Sequence, residues 1–468
     1  MNSKLISIIM PVGDEISFLE EAVESIMGQT YENWELIVVD SSQDREGVKK
    51  ILPPDERIRY FQKEKKGVAN ALNYGLSVSR GEMIARMDAD DIAMLERFER
   101  QMDFMEKNPQ IGVLGTFAYE ITMEGNINRL VPLPETNDEI KARLLFSCAV
   151  YHPTVMIRKS VLTENKLCYD ETKVAEDYDL WTKLILCTEF ANISEPLLKY
   201  RVHGNCTTFQ VGDKGIQSTV DSSIVYIRNL YNIDLAGYRF ADFYPTWFTH
   251  VERRSRASYV SQQFRLLLQI YDANMKLQKI NEEALGREFG DRFGTCVQRN
   301  YETPSVVGNS EVVDFLQDHC NQTFSSLVSG LLDFYHLSSD AHEELCICVE
   351  KSLQEADEAW NAVLKKDKTF VLYGAGRRGL EFLTKYERLY ENSEIFWKLS
   401  AIVDKKNIKI SGHHRNRIYA PDDLKTMQFD FIVVGSNLYF DEIKTELVNM
   451  GISKAKIIRM SILDRGEC

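Results

Sequence analysis

Short, unbroken apolar runs separated by stretches of helical period limit this chain more than any other feature of its sequence. Leu5-Ile6-Ser7-Ile8-Ile9-Met10 reads as a buried strand stopping at Pro11, and Trp34-Glu35-Leu36-Ile37-Val38-Val39-Asp40 as a β-branched run ending in an acid. Between them Leu19, Ala22, Val23 and Ile26 recur at the spacing of one helix face. Further strands are predicted at Ile58 to Gln62 and Glu82 to Asp88. Strands alternating with helices in this way predict an α/β domain. Open sheets of that kind gather ligand-binding groups at the carboxyl ends of their strands. Pro11, Asp40 and Asp88 all fall there.

At 468 residues the chain is about three times the roughly 150 residues of one domain, and its pattern divides it at 1–210, 211–365 and 366–468. In the middle region the β pattern fades. Val260, Phe264, Leu267, Leu268, Tyr271 and Met275 form one helical stripe, and Leu316, Cys320, Phe324, Leu327, Leu331 and Phe334 are predicted to form another. These read as packing faces, open to oligomer or partner docking, with no visible chemistry. The charged stretch Lys365-Lys366-Asp367-Lys368 marks a boundary, after which strands are predicted at Thr369 to Tyr373, Leu399 to Asp404 and Phe431 to Val434.

Lys and Arg number 56 against 70 Asp and Glu, a formal charge of −14, so the field of the whole molecule repels polyanions and nucleic acid is not an expected partner. A small diphosphate is a different case, because one metal ion or a local Lys/Arg pair reverses the field within a cleft. The nine cysteines are scattered and odd in number, which suits reduced thiols. With no long apolar run and no cleavable leader, the sequence predicts a cytoplasmic protein without a transmembrane segment, free or peripheral at the inner face of the membrane.

The strongest chemical feature is Ala85-Arg86-Met87-Asp88-Ala89-Asp90-Asp91, where an apparent strand meets three carboxylates. In extended geometry Asp88 and Asp90 point to one side, where they can address a hard divalent cation, Mn²⁺ or Mg²⁺, that would hold a diphosphate. A solvated turn or helix cap is the bland alternative. Further on, Glu176 and Asp177 open an amphipathic helix. Acids there either cap the helix or, beside a cleft, take a proton from an attacking hydroxyl. Arg201 and His203 share one face of an extended run, the first suited to phosphate and the second to a metal.

Taken together, residues 5 to about 205 resemble the GT-A domain of family 2 inverting glycosyltransferases. The resemblance rests on Ile6 to Val12, Ser25 to Tyr31, Trp34 to Asp40, Ala71-Leu72-Asn73, Arg86 to Asp91, His152-Pro153-Thr154, Glu176-Asp177 and Tyr200 to His203, which stand in the family's order. It implies a nucleotide-sugar donor, most often a UDP-sugar, lying across the strand ends. Pro11, Val12 and Asp40 match positions that hold the nucleoside. Asp88 and Asp90 match the metal and diphosphate motif, Asp177 the base, and His203 a position that in some members reaches metal or diphosphate. Lys66 and Arg86 are further donor candidates, their plain alternative being a solvated charge. Ser41 departs from the usual second acid, and Lys65 from the usual Asn.

The resemblance implies metal-dependent transfer of a sugar to a glycan or glycoconjugate hydroxyl, in surface polysaccharide, teichoic acid or glycoconjugate synthesis. A sugar-nucleotide-binding scaffold or sensor without turnover and a nucleotidyltransferase are the alternatives. A second motif, Gly374-Ala375-Gly376-Arg377-Arg378-Gly379 after a strand, with Asp404 ending the next, fits a Rossmann-like nucleotide site. It resembles the Rossmann-like domains appended to some sugar-modifying enzymes, where ligand binding and a purely structural or docking role are both open.

Overall fold

The structure is a computed structural model that describes residues 3–65, 67–202, 207–238, 240–243, 256–301, 311–319, 322–364, 368–374, 397–404, 418–434, 440–453 and 456–459. It forms two compact units, one of Met1–Leu235 with Ala273–Leu285 and the other of Ala236–Asp272 with Gly286–Cys468.

A nine-stranded mixed sheet organises the first unit. Its strands are β1 (Ile6–Val12), β2 (Trp34–Asp40), β3 (Ile58–Gln62), β4 (Met83–Arg86), β5 (Ile92–Ala93), β6 (Ile111–Ile121), β7 (Ile127–Val131), β8 (Met156–Arg158) and β9 (Glu189–Arg201). They run in the order β3-β2-β1-β4-β8-β6-β9-β5, with β7 paired to β6. The first four are parallel, β8 is antiparallel to both neighbours, and β6 and β9 are parallel again. Helices α1 (Leu19–Met27), α2 (Arg45–Ile51), α3 (Val68–Val78), α4 (Arg97–Lys107), α5 (Asn137–Arg143), α6 (Lys159–Glu164), α7 (Glu176–Leu184) and α8 (Thr207–Tyr231) complete it. Leu19, Ala22, Val23 and Ile26 of α1 join Ile6, Ile8 and Met10 of β1 in one buried cluster. Each Leu, Val, Ile or Met side chain of this cluster contributes about 2 kcal/mol by leaving water.

Two strand ends differ from the sequence reading. The first strand runs through Pro11 to Val12, because β4 has stopped pairing at Ile9 and the missing proline N–H falls where only β2 is a neighbour. The fourth ends at Arg86, and Ala89-Asp90 form a turn. A turn, and not extended alternation, therefore brings the acids together.

In the second unit the stripe predicted from Leu316 to Phe334 is two helices, Glu311–Asp318 and Phe324–Phe334. Thr323 caps the second by accepting from the Ser326 N–H, and Cys320 lies outside the described residues. A further helix spans His342–Leu364. The second sheet is wholly parallel: β10 (Lys368–Tyr373), β11 (Trp397–Val403), β12 (Ile418–Tyr419), β13 (Phe431–Val434) and β14 (Ile457–Arg459), in the order β12-β11-β10-β13-β14. This is the Rossmann-like arrangement, with the order reversing direction beside β10. Gly374 follows β10 at φ +92°, a backbone region side chains rarely adopt, and its N–H donates to Val403 O at 2.8 Å. Gly376 and Gly379 lie outside the described residues. Among the described residues no helix is long and apolar enough to cross a membrane.

Candidate active site

The carboxyl ends of β1 and β2 meet at Val12 and Asp40. Val12 is buried beside the partly buried Pro11, and its carbonyl accepts from the Ser41 N–H at 2.9 Å. Asp40 is fully buried, with Oδ1 accepting from the Ser42 N–H at 2.8 Å and Oδ2 from the Tyr60 hydroxyl at 2.6 Å. The carboxylate expected at the nucleoside therefore shapes the Ser41-Ser42 turn from within. Burial, and then the Asp40 charge, push the Tyr60 phenol up.

One strand further, carboxylate oxygens of Asp88, Asp90 and Asp91 lie within 4.8 Å of one another. Three arginines hold this loop. Arg86, at the end of β4, is buried and ion-paired with Asp88. Arg97 of α4 is fully buried, donating to Arg86 O at 3.0 Å and to Gln101 Oε1 at 3.2 Å, and burial draws its pKa down to about 9. Arg201, at the end of β9, donates its backbone N–H to Asp91 Oδ1 at 2.9 Å. Its guanidinium donates to the carbonyls of Asp90 at 2.8 Å and Met123 at 2.7 Å, and pairs with Glu21. At 2% exposure Arg201 is a brace behind the acid loop, where the sequence suggested a phosphate ligand.

The acids feel one another. Burial raises the Asp88 carboxyl to about 6, against the pull of Arg86 and with the help of Asp90 and Asp177. Asp91 goes well above the usual range through burial and the charges of Asp88 and Asp90, and its Oδ2 is buried without a hydrogen-bond partner. An orphaned carboxylate oxygen among hard oxygen donors fits a divalent cation of the Mg²⁺ or Mn²⁺ type. Asp91 thus joins Asp88 and Asp90 as a third acid that sequence reasoning left without a role. The signal was its place directly before the apolar Ile92-Ala93. His203, the third ligand suggested by the sequence, and Lys66 lie outside the described residues.

Facing this loop, α7 starts at Glu176 with no side-chain cap from Ala175. Asp177 Oδ1 accepts from the Tyr178 N–H at 2.7 Å, and Oδ2 lies 4.0 Å from His152 Nδ1. His152 sits on a single 3₁₀ turn, His152–Thr154, buried edge-on to Trp181 and sharing a 2.9 Å hydrogen bond with the Tyr169 hydroxyl. Burial, and then Arg86, hold its pKa far below neutrality, so the imidazole is uncharged. Burial raises the Asp177 carboxyl as well, and burial followed by the Asp177 charge lifts Glu176 to about 7. Asn73 Nδ2 donates to Tyr169 O at 2.9 Å, and Glu171 pairs with Lys65, so the segment behind His152 is tied to the start of α3. Neither His152 nor Tyr169 was given a chemical role by sequence reasoning, because they meet only through tertiary packing.

Two family models match the chain: glycosyl transferase family 2 over residues 7–165, and C2185-like, N-terminal, over 366–458. An uncharacterized glycosyltransferase of Haemophilus influenzae is 34% identical over 221 residues, covering 44% of this chain and 68% of that protein. The O-antigen biosynthesis glycosyltransferase WbnJ of Escherichia coli is 32% identical over 210 residues, covering 43% of this chain and 82% of WbnJ. An uncharacterized glycosyltransferase of Rickettsia bellii is 31% identical over 228 residues, and the match spans a third (33%) of its length. Among solved structures, Staphylococcus aureus TarS 1-349 in complex with UDP-GlcNAc aligns over 77% of this chain and 90% of that one at 17% identity, with a TM-score of 0.42. That superposition is too loose to carry an argument about ligands. The sequence matches, of which the family model spans the acid loop, suffice: the chain belongs to glycosyltransferase family 2.

Proposed function

We propose that the chain is a metal-dependent, inverting glycosyltransferase that moves a sugar from a nucleoside diphosphate sugar, with uridine as the nucleoside, to a hydroxyl acceptor. The observation that carries this reading is the pairing of a three-carboxylate loop, one oxygen of which is buried and unpartnered, with a fourth carboxylate, Asp177, near enough that its charge helps raise Asp88. Asp88, Asp90 and Asp91 would hold Mn²⁺ or Mg²⁺, which when bound supplies positive charge to a departing diphosphate. Pro11, Val12 and the turn shaped by Asp40 take the nucleoside, and Arg86 lies beside the diphosphate. Lys66 and His203 join as donor and metal ligands by resemblance alone.

Asp177 is the base. Its Oδ2 takes the proton of the acceptor hydroxyl as that oxygen bonds to the anomeric carbon and the opposite bond, to the diphosphate oxygen, breaks with its electron pair. One in-line displacement inverts the configuration. Asp177 must be ionised to act, and its Tyr178 N–H bond favours that form. His152 beside it is neutral and does not pin the carboxylate in an ion pair.

The O-antigen role of the Escherichia coli relative supports acceptors in surface-glycan synthesis, with teichoic acid and other glycoconjugates in the same class; a cytoplasmic enzyme working at the inner membrane face belongs to the same proposal. In the second unit, the ends of β10 and β11 at Gly374 and Asp404 form a candidate second nucleotide site, to which Gly376 and Gly379 would belong. A screen of nucleotide sugars for diphosphate release, with Mn²⁺, Mg²⁺ or chelator, tests the main reading. Release that survives chelator refutes the metal, and no release from any donor refutes transfer.

A further inference from the structure

Resting on that reading, we infer that Glu120, Arg129, Tyr151 and Tyr200 form an acceptor subsite for an uncharged sugar ring. Cross-strand register sets Arg129, Glu120 and Tyr200 side by side. Arg129 of β7 stands opposite Glu120 of β6, and Glu120 opposite Tyr200 of β9. Residues directly opposite on neighbouring strands share a face. Tyr200 immediately precedes Arg201, whose backbone N–H holds Asp91 Oδ1, so the strand that carries the row ends at the acid loop.

Tyr151 closes the row on the side of the base. Its ring centroid is 5.4 Å from that of Tyr200, at 50° between planes, and its hydroxyl donates to Glu120 Oε1 at 3.4 Å. It also immediately precedes His152, whose Nδ1 is 4.0 Å from Asp177 Oδ2. Cys148 stands near the base as well: after burial, the Asp177 charge pushes its thiol pKa up. Tyr151 in turn feels Glu120 and Cys148, and after burial these help push its phenol to about 12. The proposed wall is thus Tyr151, Tyr200 and the Glu120–Arg129 pair, with Tyr151 at the end nearest the base.

The chemistry of this wall suits a pyranose. Two half-buried phenol rings offer flat apolar area to the C–H faces of a sugar. Arg129 donates to both oxygens of Glu120, at 2.6 and 2.7 Å, in a planar fork of donors and acceptors suited to adjacent hydroxyls. The Glu120 side chain is 11% exposed and that of Arg129 65%, so the carboxylate forms the floor and the guanidinium the rim. The pair is exposed only at its guanidinium end, with the Glu120 carboxylate buried against it. Its charges cancel, leaving no net attraction for a phosphorylated polyol.

With a donor found by the diphosphate-release screen, p-nitrophenyl hexosides and glycerol phosphate are offered as acceptors and products read by mass spectrometry. Hexoside transfer is expected, and Arg129→Gln and Tyr200→Leu should each raise the hexoside KM by about tenfold, while donor hydrolysis in water stays within about twofold. Arg129 lies on an exposed strand, so its variant folds even if Tyr200→Leu does not. Transfer to glycerol phosphate alone, donor turnover with no hexoside accepted, an unchanged KM, or hydrolysis and transfer falling together would each overturn the subsite. No turnover of any donor would instead refute the glycosyl-transfer reading beneath it.

Discussion

Asp177→Asn should nearly abolish transfer while leaving the donor bound. The amide oxygen can keep the 2.7 Å bond from the Tyr178 N–H, so the first turn of α7 stays as it is, while the amide nitrogen presented in place of Oδ2 cannot accept a proton. General-base catalysis contributes roughly 10²–10⁴ in rate, a barrier change of about 2.7–5.4 kcal/mol. The neighbours cannot restore it fully: His152 is a very weak base behind the carboxylate, and Glu176, lifted to about 7, is about half protonated at neutral pH. Removing the Asp177 charge also removes one cause of the raised Asp88 carboxyl, so the acid loop should ionise slightly more readily and hold a cation at least as well. Initial rates of sugar transfer, paired with calorimetric titration of donor in Mn²⁺, separate the two effects. Transfer within about tenfold of the unaltered protein, with binding intact, would show that the base lies elsewhere.

Asp91→Asn should raise the melting temperature of the cation-free protein, since it neutralises a buried carboxylate repelled by Asp88 and Asp90, while raising the Mn²⁺ concentration needed for half-maximal activity. Without a cation, stability should fall as pH rises from about 4 to 7: Glu176 and Asp88 have folded pKa values of about 7 and 6, above their ordinary 4.5 and 3.8, so the folded state binds more protons across that window. Thermal unfolding with and without Mn²⁺ checks this, and added Mn²⁺ should flatten the decline. Transfer should fail as pH drops through the raised Asp177 pKa, and that acidic limb should be missing from the residual activity of Asp177→Asn. Thr323→Ala should cost the second unit about 1 kcal/mol in denaturant titration by removing the cap of Phe324–Phe334.

Much of the fold was legible because burial dictates apolar runs. The second strand, Trp34–Asp40, and the third, Ile58–Gln62, begin and end where their patterns do. The fourth does not, since an apolar pattern says nothing about where a pairing partner stops. The single stripe from Leu316 to Phe334 failed for another reason: helical spacing survives a break, and only the Thr323 cap reveals one. At the site, the sequence announced residue types and could not assign partners. Arg201 looked free for phosphate until its donors were seen on Asp90, Met123 and Glu21. Asp177 was marked by its neighbours along the chain, whereas His152 approaches it only through the packing of a distant turn.

The bond from the Arg201 N–H to Asp91 spans 110 positions of sequence. During synthesis the acids leave the ribosome long before the strand that fixes them, at a few to about twenty residues per second. For several seconds the nascent protein carries three adjacent carboxylates with no architecture to hold them, and a chain interrupted before β9 keeps the motif without the centre. Competence to bind a cation should therefore arrive late and abruptly, as a property of the completed sheet and not of the acidic segment.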